Sequence, residues 1–117
     1  MPPITLILII LVSALHLYIL VLEMFLWTHP AGLRTFRNTP EKAKATRVLA
    51  ANQGLYNGFL AAGLAWGALG GRADVAAFFL GCVVVAGLYG GWSVNRRILV
   101  VQAAPAALAL LLLWLGV

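Results

Sequence analysis

The chain has 117 residues, of which 63% are hydrophobic and only 9% are charged. Soluble domains are about 45–50% apolar and about 25% charged, and a domain this small buries only about two-thirds of its surface. The composition therefore excludes a soluble monomer, and also a disordered chain, which needs few apolar residues. The net charge is +5, but the basic residues do not form a face interleaved with aromatic residues. Nucleic acid is therefore not an expected partner.

Four apolar runs predict an all-α fold, an integral membrane four-helix bundle formed by one domain over residues 1–117. A membrane-spanning helix needs about 20 residues, and each run comes close to that length. The first run has no basic region before it and no cleavage site after it, so we expect a retained helix and not a signal peptide. The predicted spans are residues 4–27, 48–69, 75–92 and 98–115.

Local signals refine these spans. Thr39, followed by Pro40 and Glu41, predicts the start of a helix that runs on, without a break, into the second span. Asp74 is expected to cap the third helix. Pro105 is expected to kink the fourth, because proline removes a backbone hydrogen bond.

The basic residues are divided unevenly between the predicted loops. Seven of the eight lie in residues 28–47 and 93–97, and only Arg72 lies in the gap between the second and third spans. Cytoplasmic loops of membrane proteins carry such an excess of Lys and Arg. We therefore expect both basic loops to be cytoplasmic and both termini to lie outside. The lipid bilayer is the first expected partner, and the longer loop could also contact anionic headgroups.

Several polar side chains fall within the predicted spans, where each is costly to bury and marks a candidate site. Counted from the basic loops, all lie in the cytoplasmic half of the membrane or near its midplane, which predicts a polar cavity open toward the cytoplasm. Glu23 and His16, seven residues apart on one helix face, are the candidate acid–base pair, and Tyr56 is a candidate proton donor. The candidate substrate-binding residues are Asn52, Gln53, Asn57, Tyr89 and Gln102.

Other interpretations of these residues stay open. Asn, Gln and Tyr often join membrane helices by hydrogen bonds, and Arg34 or Lys42 could pair with Glu23 and make it structural. One histidine with one acid is a poor transition-metal site, and the lone Cys82 forms neither an intrachain disulfide nor a thiolate cluster. We expect no metal and no cofactor.

Glycines four residues apart in the second span predict close helix approach. The pairs are Gly54 with Gly58 and Gly63 with Gly67. The pattern is compatible with packing inside one chain or with dimerisation, which leaves a homo-oligomer open.

The segments around these polar residues resemble a bacterial membrane protein family called domain of unknown function 1304. The most specific part is the Asn-Gln-Gly-x-Tyr-Asn-Gly motif at residues 52–58, and residues 16–27, 85–90 and 101–106 fit the same pattern. The resemblance implies a small four-helix protein of the bacterial inner membrane. Some members carry an epoxidase label, but an epoxidase needs an oxygen-activating cofactor, and no flavin, haem or non-haem iron motif is present.

Three functions fit the sequence. The first is an acid–base enzyme that acts on a small lipophilic substrate, in the manner of an epoxide hydrolase or isomerase. The second is a small proton-coupled transporter or exporter, although Glu23 lies near the membrane edge and the charge bias disfavours dual topology. The third is an accessory membrane subunit without chemistry of its own, which leaves the clustered polar groups unexplained.

Overall fold

A computed structural model describes all 117 residues and contains only helices, which confirms the predicted all-α class. The chain forms six α-helices and one π-helical turn, where four spans were predicted. Two additional short helices, α2 and α3, occupy the loop after the first long helix. The elements are α1 (Pro3–Met24), α2 (Pro30–Thr35), α3 (Pro40–Ala45), α4 (Arg47–Leu69), α5 (Ala73–Ser93), the π-helical turn (Leu99–Ala103) and α6 (Ala104–Leu115).

Two of these helices, α1 and α5, are long and apolar enough to cross a membrane, and the helical segment 99–115 is apolar but shorter. The chain divides into two compact units. The first unit comprises Met1–Ala14 and Leu60–Val117, and the second comprises Leu15–Phe59.

The first unit has an apolar core built from aliphatic and small side chains. In this core, an added Cβ on Gly67 would lie 2.6 Å from the Ala76 backbone nitrogen, so only glycine allows the α4 and α5 backbones to come so close. This contact bears out the close approach predicted for the second glycine pair. The core residues are Ile9, Val12, Leu64, Ala68, Ala76, Leu80, Val83, Ala106 and Ala109.

Pro105 follows a π-helical turn instead of interrupting an α-helix. The Ala104 N–H donates to the Leu99 carbonyl, five residues back. Such a turn absorbs one residue of register, and it lies immediately before the proline that cannot donate a backbone hydrogen bond. The hydrogen-bond register therefore changes at residues 99–103, before Pro105, at which the sequence predicts a kink.

In the second unit, Thr39 caps α3, because its side chain accepts a hydrogen bond from the Lys42 N–H. The predicted continuous helix from Thr39 onward is wrong, since α3 ends at Ala45, α4 begins at Arg47, and Thr46 lies between them. The Thr46 hydroxyl donates to the Lys42 carbonyl at 2.7 Å and accepts from Trp27 Nε1 at 3.1 Å. The residue between α3 and α4 thus makes a tertiary hydrogen bond to Trp27, which the local sequence pattern does not reveal.

The expectation that Asp74 caps the third helix is also wrong. α5 begins at Ala73, and its N-cap residue is Arg72. Both Asp74 carboxylate oxygens accept hydrogen bonds from the Arg72 guanidinium, at 3.0 and 2.9 Å. The carboxylate thus forms an exposed ion pair with the N-cap residue from within the first turn of α5.

Candidate functional site

The second unit contains a hydrogen-bonded pair formed by Glu23 near the end of α1 and Asn57 in α4. The Asn57 Nδ2 donates to the Glu23 Oε1 at 2.6 Å. Glu23 is 6% exposed, although it is one of only three acidic residues in the chain. A carboxyl group buried this far is costly unless it is hydrogen-bonded, so Asn57 compensates in part for the burial of Glu23.

Glycine brings α4 close enough to α1 for this contact. An added Cβ on Gly54 would lie 3.2 Å from both the Leu20 carbonyl oxygen and the Glu23 Cβ, and 2.6 Å from the Met24 Cγ. An added Cβ on Gly58 would lie 2.7 Å from the Leu20 Cδ1. The first predicted glycine pair therefore packs within one chain, and Asn57 lies between its two members in sequence.

His16 is the other buried titratable residue of α1, and its side chain is 0% exposed. It precedes Glu23 by seven residues, which places the two Cα atoms about 10 Å apart along one helix face. The two side chains are too far apart for a direct hydrogen bond in most rotamers. A small substrate or a water molecule would have to connect them.

The other predicted residues of α4 do not join the Glu23–Asn57 pair. Asn52 is exposed, and its amide donates to the Val48 carbonyl of its own helix at 2.9 Å. Gln53 is also exposed. The Tyr56 side chain is 59% exposed and its ring contacts Phe59, with 6.0 Å between the ring centroids. Of the four polar residues predicted in this helix, only Asn57 bonds to Glu23.

The remaining predicted binding residues, Tyr89 and Gln102, belong to the first unit. Tyr89 is 67% exposed, and its ring centroid is 6.0 Å from that of Trp92. Gln102 is half-buried within the π-helical turn. Together with Asn95 and Arg96, Trp92 also lines an open cleft of about 500 Å³ where α5 ends.

A second open cleft, of about 300 Å³, lies in the second unit where α1 ends and α4 begins. We call it the Arg47 cleft. Its polar lining consists of Thr28, His29, Arg47 and Asn52. The sequence analysis singled out only Asn52 among these as a binding residue. Thr28, His29 and Arg47 lie at the two ends of the loop between the first two apolar runs, which is the signal that could have identified them. The apolar lining consists of Met24, Phe25, Trp27, Val48 and Ala51.

No group of three or more His, Cys, Asp or Glu side chains lies close enough together to hold a metal ion. In the second unit, the buried titratable groups are Glu23 and His16. They do not belong to a group of three such side chains. The chemistry that this arrangement can perform is proton transfer and hydrogen bonding.

Fold and site together define a strongly apolar, all-α protein with a buried carboxyl–amide pair. The family profile described as "Protein of unknown function (DUF1304)" matches residues 10–114. The chain belongs to this family, which confirms the resemblance found in the sequence. It is 32% identical over 111 residues to the uncharacterized protein YpaA of Lactococcus lactis subsp. lactis (strain IL1403), and the alignment covers 92% of this chain and 93% of that protein. No solved structure matches the chain.

Proposed function

We propose that the protein is a multi-pass protein of the bacterial inner membrane that crosses the bilayer four times, with both basic loops in the cytoplasm. The apolar surface of α1 supports this proposal. Ile4, Ile7, Leu11 and Leu17 are each more than half exposed, and soluble monomers rarely expose a contiguous apolar surface of this extent. The strong bias of basic residues toward residues 28–47 and 93–97 supports the orientation.

We further propose that the protein is an acid–base enzyme that acts on a small lipophilic substrate, as an epoxide hydrolase or isomerase does. The observation that carries this proposal is the burial of Glu23, hydrogen-bonded to Asn57, on the same helix as the fully buried His16. Burying a polar side chain within an apolar helix costs free energy that its hydrogen bonds offset only in part. Intramembrane titratable residues are rare for that reason and mark functional sites.

These groups supply the proton transfers that epoxide hydrolysis requires. The Glu23 carboxylate would take a proton from water while the water oxygen forms a bond to an epoxide carbon. As that bond forms, the carbon–oxygen bond of the ring breaks, and a protonated His16 would give its proton to the oxygen that is released. Transfer of a proton from the Glu23 carboxyl to His16 through water would then restore both groups. Water and epoxide yield a diol, and Asn57 would keep the carboxylate oriented throughout. Positioned acid–base groups of this kind accelerate reactions by about 10²–10⁴-fold.

The test is diol formation from a panel of lipophilic epoxides, with styrene oxide as the first member, by membranes that contain the full chain. Glu23→Gln should lower the rate by at least about 100-fold. Asp74→Asn makes the same chemical change at an exposed acid of α5 and should leave the rate unchanged. A folded Glu23→Gln variant with the wild-type rate, or wild-type membranes that form no diol from any member, would refute the enzyme proposal.

The same buried groups favour a second candidate, a proton-coupled transporter, because carboxyl and imidazole side chains within apolar helices also form proton relays. Glu23 is the penultimate residue of α1, so it would exchange protons at one membrane face and not at the midplane. Flux of a lipophilic cation, measured in proteoliposomes with and without a proton gradient, separates the two candidates. Gradient-dependent flux that is lost in Glu23→Gln, without diol formation, would favour transport.

A further inference from the structure

We propose that the Arg47 cleft is a binding site for the phosphate group of an anionic lipid. This inference is independent of the acid–base function proposed for Glu23, because it concerns different side chains and predicts binding without reaction. The cleft lies at the end of the apolar helix α1, where the chain turns into its basic loop. In the membrane topology proposed above, on which this inference rests, the cleft lies at the level of the lipid headgroups.

The polar lining of the cleft is suited to an anion. The polar residues that line it are Thr28, His29, Arg47 and Asn52, and no acidic residue lines it. Arginine presents planar, paired N–H donors that match two phosphate oxygens at once. Arg72 pairs with Asp74, whereas no salt bridge joins Arg47 to an acid of the chain.

The remainder of the cleft is apolar, which points to a lipid and not to a small anion alone. Phe25 is 64% exposed and Val48 is 73% exposed, and both line the cleft beside Met24. A phosphate held by Arg47 would continue into the hydrocarbon part of a lipid, and these side chains offer the surface on which that part can pack. A free phosphate ion would use the polar half only.

The positive-inside bias gives every basic residue of the loop a general attraction to an anionic membrane surface. Binding in the Arg47 cleft differs from that attraction because it requires an arginine that lines the cleft, and not only a positive charge in the loop. Arg34 belongs to α2, is exposed and does not line the cleft, yet it carries the same charge as Arg47. Arg34→Gln is therefore a charge-matched control for Arg47→Gln.

The experiment is native mass spectrometry of the full chain in detergent, with added phosphatidylglycerol or phosphatidylcholine. We expect the wild type to retain phosphatidylglycerol preferentially, and Arg47→Gln to lower retention by about tenfold or more, the loss expected for a charge-assisted hydrogen bond. Arg34→Gln should lower it less than about twofold, and Arg47→Lys, which keeps the charge without the paired donors, should fall between them. Helical circular dichroism verifies that each variant is folded.

Inorganic phosphate serves as a competitor and identifies the source of the phosphate group. Displacement of the lipid at about millimolar phosphate, with the same dependence on Arg47, upholds the site and assigns it to free phosphate. If phosphate does not displace the lipid, the site is confirmed and its ligand is the lipid headgroup. Equal losses in Arg47→Gln and Arg34→Gln, or equal retention of both lipids by the wild type, would overturn the proposal.

Discussion

Replacing Asn57 by leucine removes the donor to the buried Glu23 carboxyl while keeping a side chain of similar size. A hydrogen bond to a charged group contributes about 1.5–3 kcal/mol in soluble proteins, whereas interhelical hydrogen bonds measured in a membrane average about 0.6 kcal/mol and reach about 1.7 kcal/mol. The contact is short, at 2.6 Å, and Glu23 is only 6% exposed. We therefore expect Asn57→Leu to lower the free energy of unfolding by about 1–2 kcal/mol.

A double-mutant cycle isolates this interaction from the other effects of each substitution. Glu23→Leu removes the acceptor, and the double variant replaces the pair by two apolar side chains, which is often nearly neutral in stability. The two single losses should therefore exceed the loss of the double variant, and the coupling energy should be about 1–2 kcal/mol. Asn52→Leu makes the same change at an exposed site of α4 and should alter stability by less than about 0.5 kcal/mol.

The free energies come from titration of the full chain with sodium dodecyl sulfate in mixed micelles, followed by helical circular dichroism. A coupling energy below about 0.3 kcal/mol, within the range of simple additivity, would refute the argument that Asn57 compensates for the burial of Glu23. Equal losses in Asn57→Leu and Asn52→Leu would refute it as well, since only one of these amides bonds to Glu23.

Further predictions concern packing, the loop and topology. Gly54→Val should lower the free energy of unfolding by about 1–3 kcal/mol, because its Cβ would meet the α1 backbone. Gly81→Ala, with nothing within 4 Å, should be neutral or stabilising in the same titration. Thr46→Val removes the acceptor of the indole hydrogen bond and should cost about 0.5–1.5 kcal/mol, with faster proteolysis within the loop; an unchanged cleavage rate would count against this bond. In a cysteine-free background, a membrane-impermeant thiol reagent should label Lys44→Cys only from the cytoplasm and Arg72→Cys only from outside, and labelling of both from one side would contradict the proposed topology.

Local sequence signals located several helix boundaries. The cap at Thr39 follows from the residue itself and from the proline after it, because both act within one helical turn. The break at Thr46 was missed for the opposite reason. The residue at the break accepts a hydrogen bond from Trp27, 19 residues earlier in the chain, which no local pattern contains.

The sequence analysis identified the polar residues of α4 as a group but not the one that bonds to Glu23. In α4 the apolar residues occur on every side of the helix, so their periodicity does not separate a packed face from an exposed one. Small residues mark the packed face instead. Ala50, Gly54 and Gly58 recur every four residues and are buried or half-buried, and Asn57 lies on their side, whereas Asn52 lies roughly opposite at 100° per residue.

The composition alone determined that many apolar side chains would stay exposed, because 63% hydrophobic residues cannot all be buried within so small a domain. The spacing of its glycines determined where helices come close, because only residues without large side chains permit that approach. The tertiary structure alone decided which side chains meet. Glu23 and Asn57 are 34 residues apart in the chain, and their contact depends on how α1 and α4 pack, which neither helix encodes by itself.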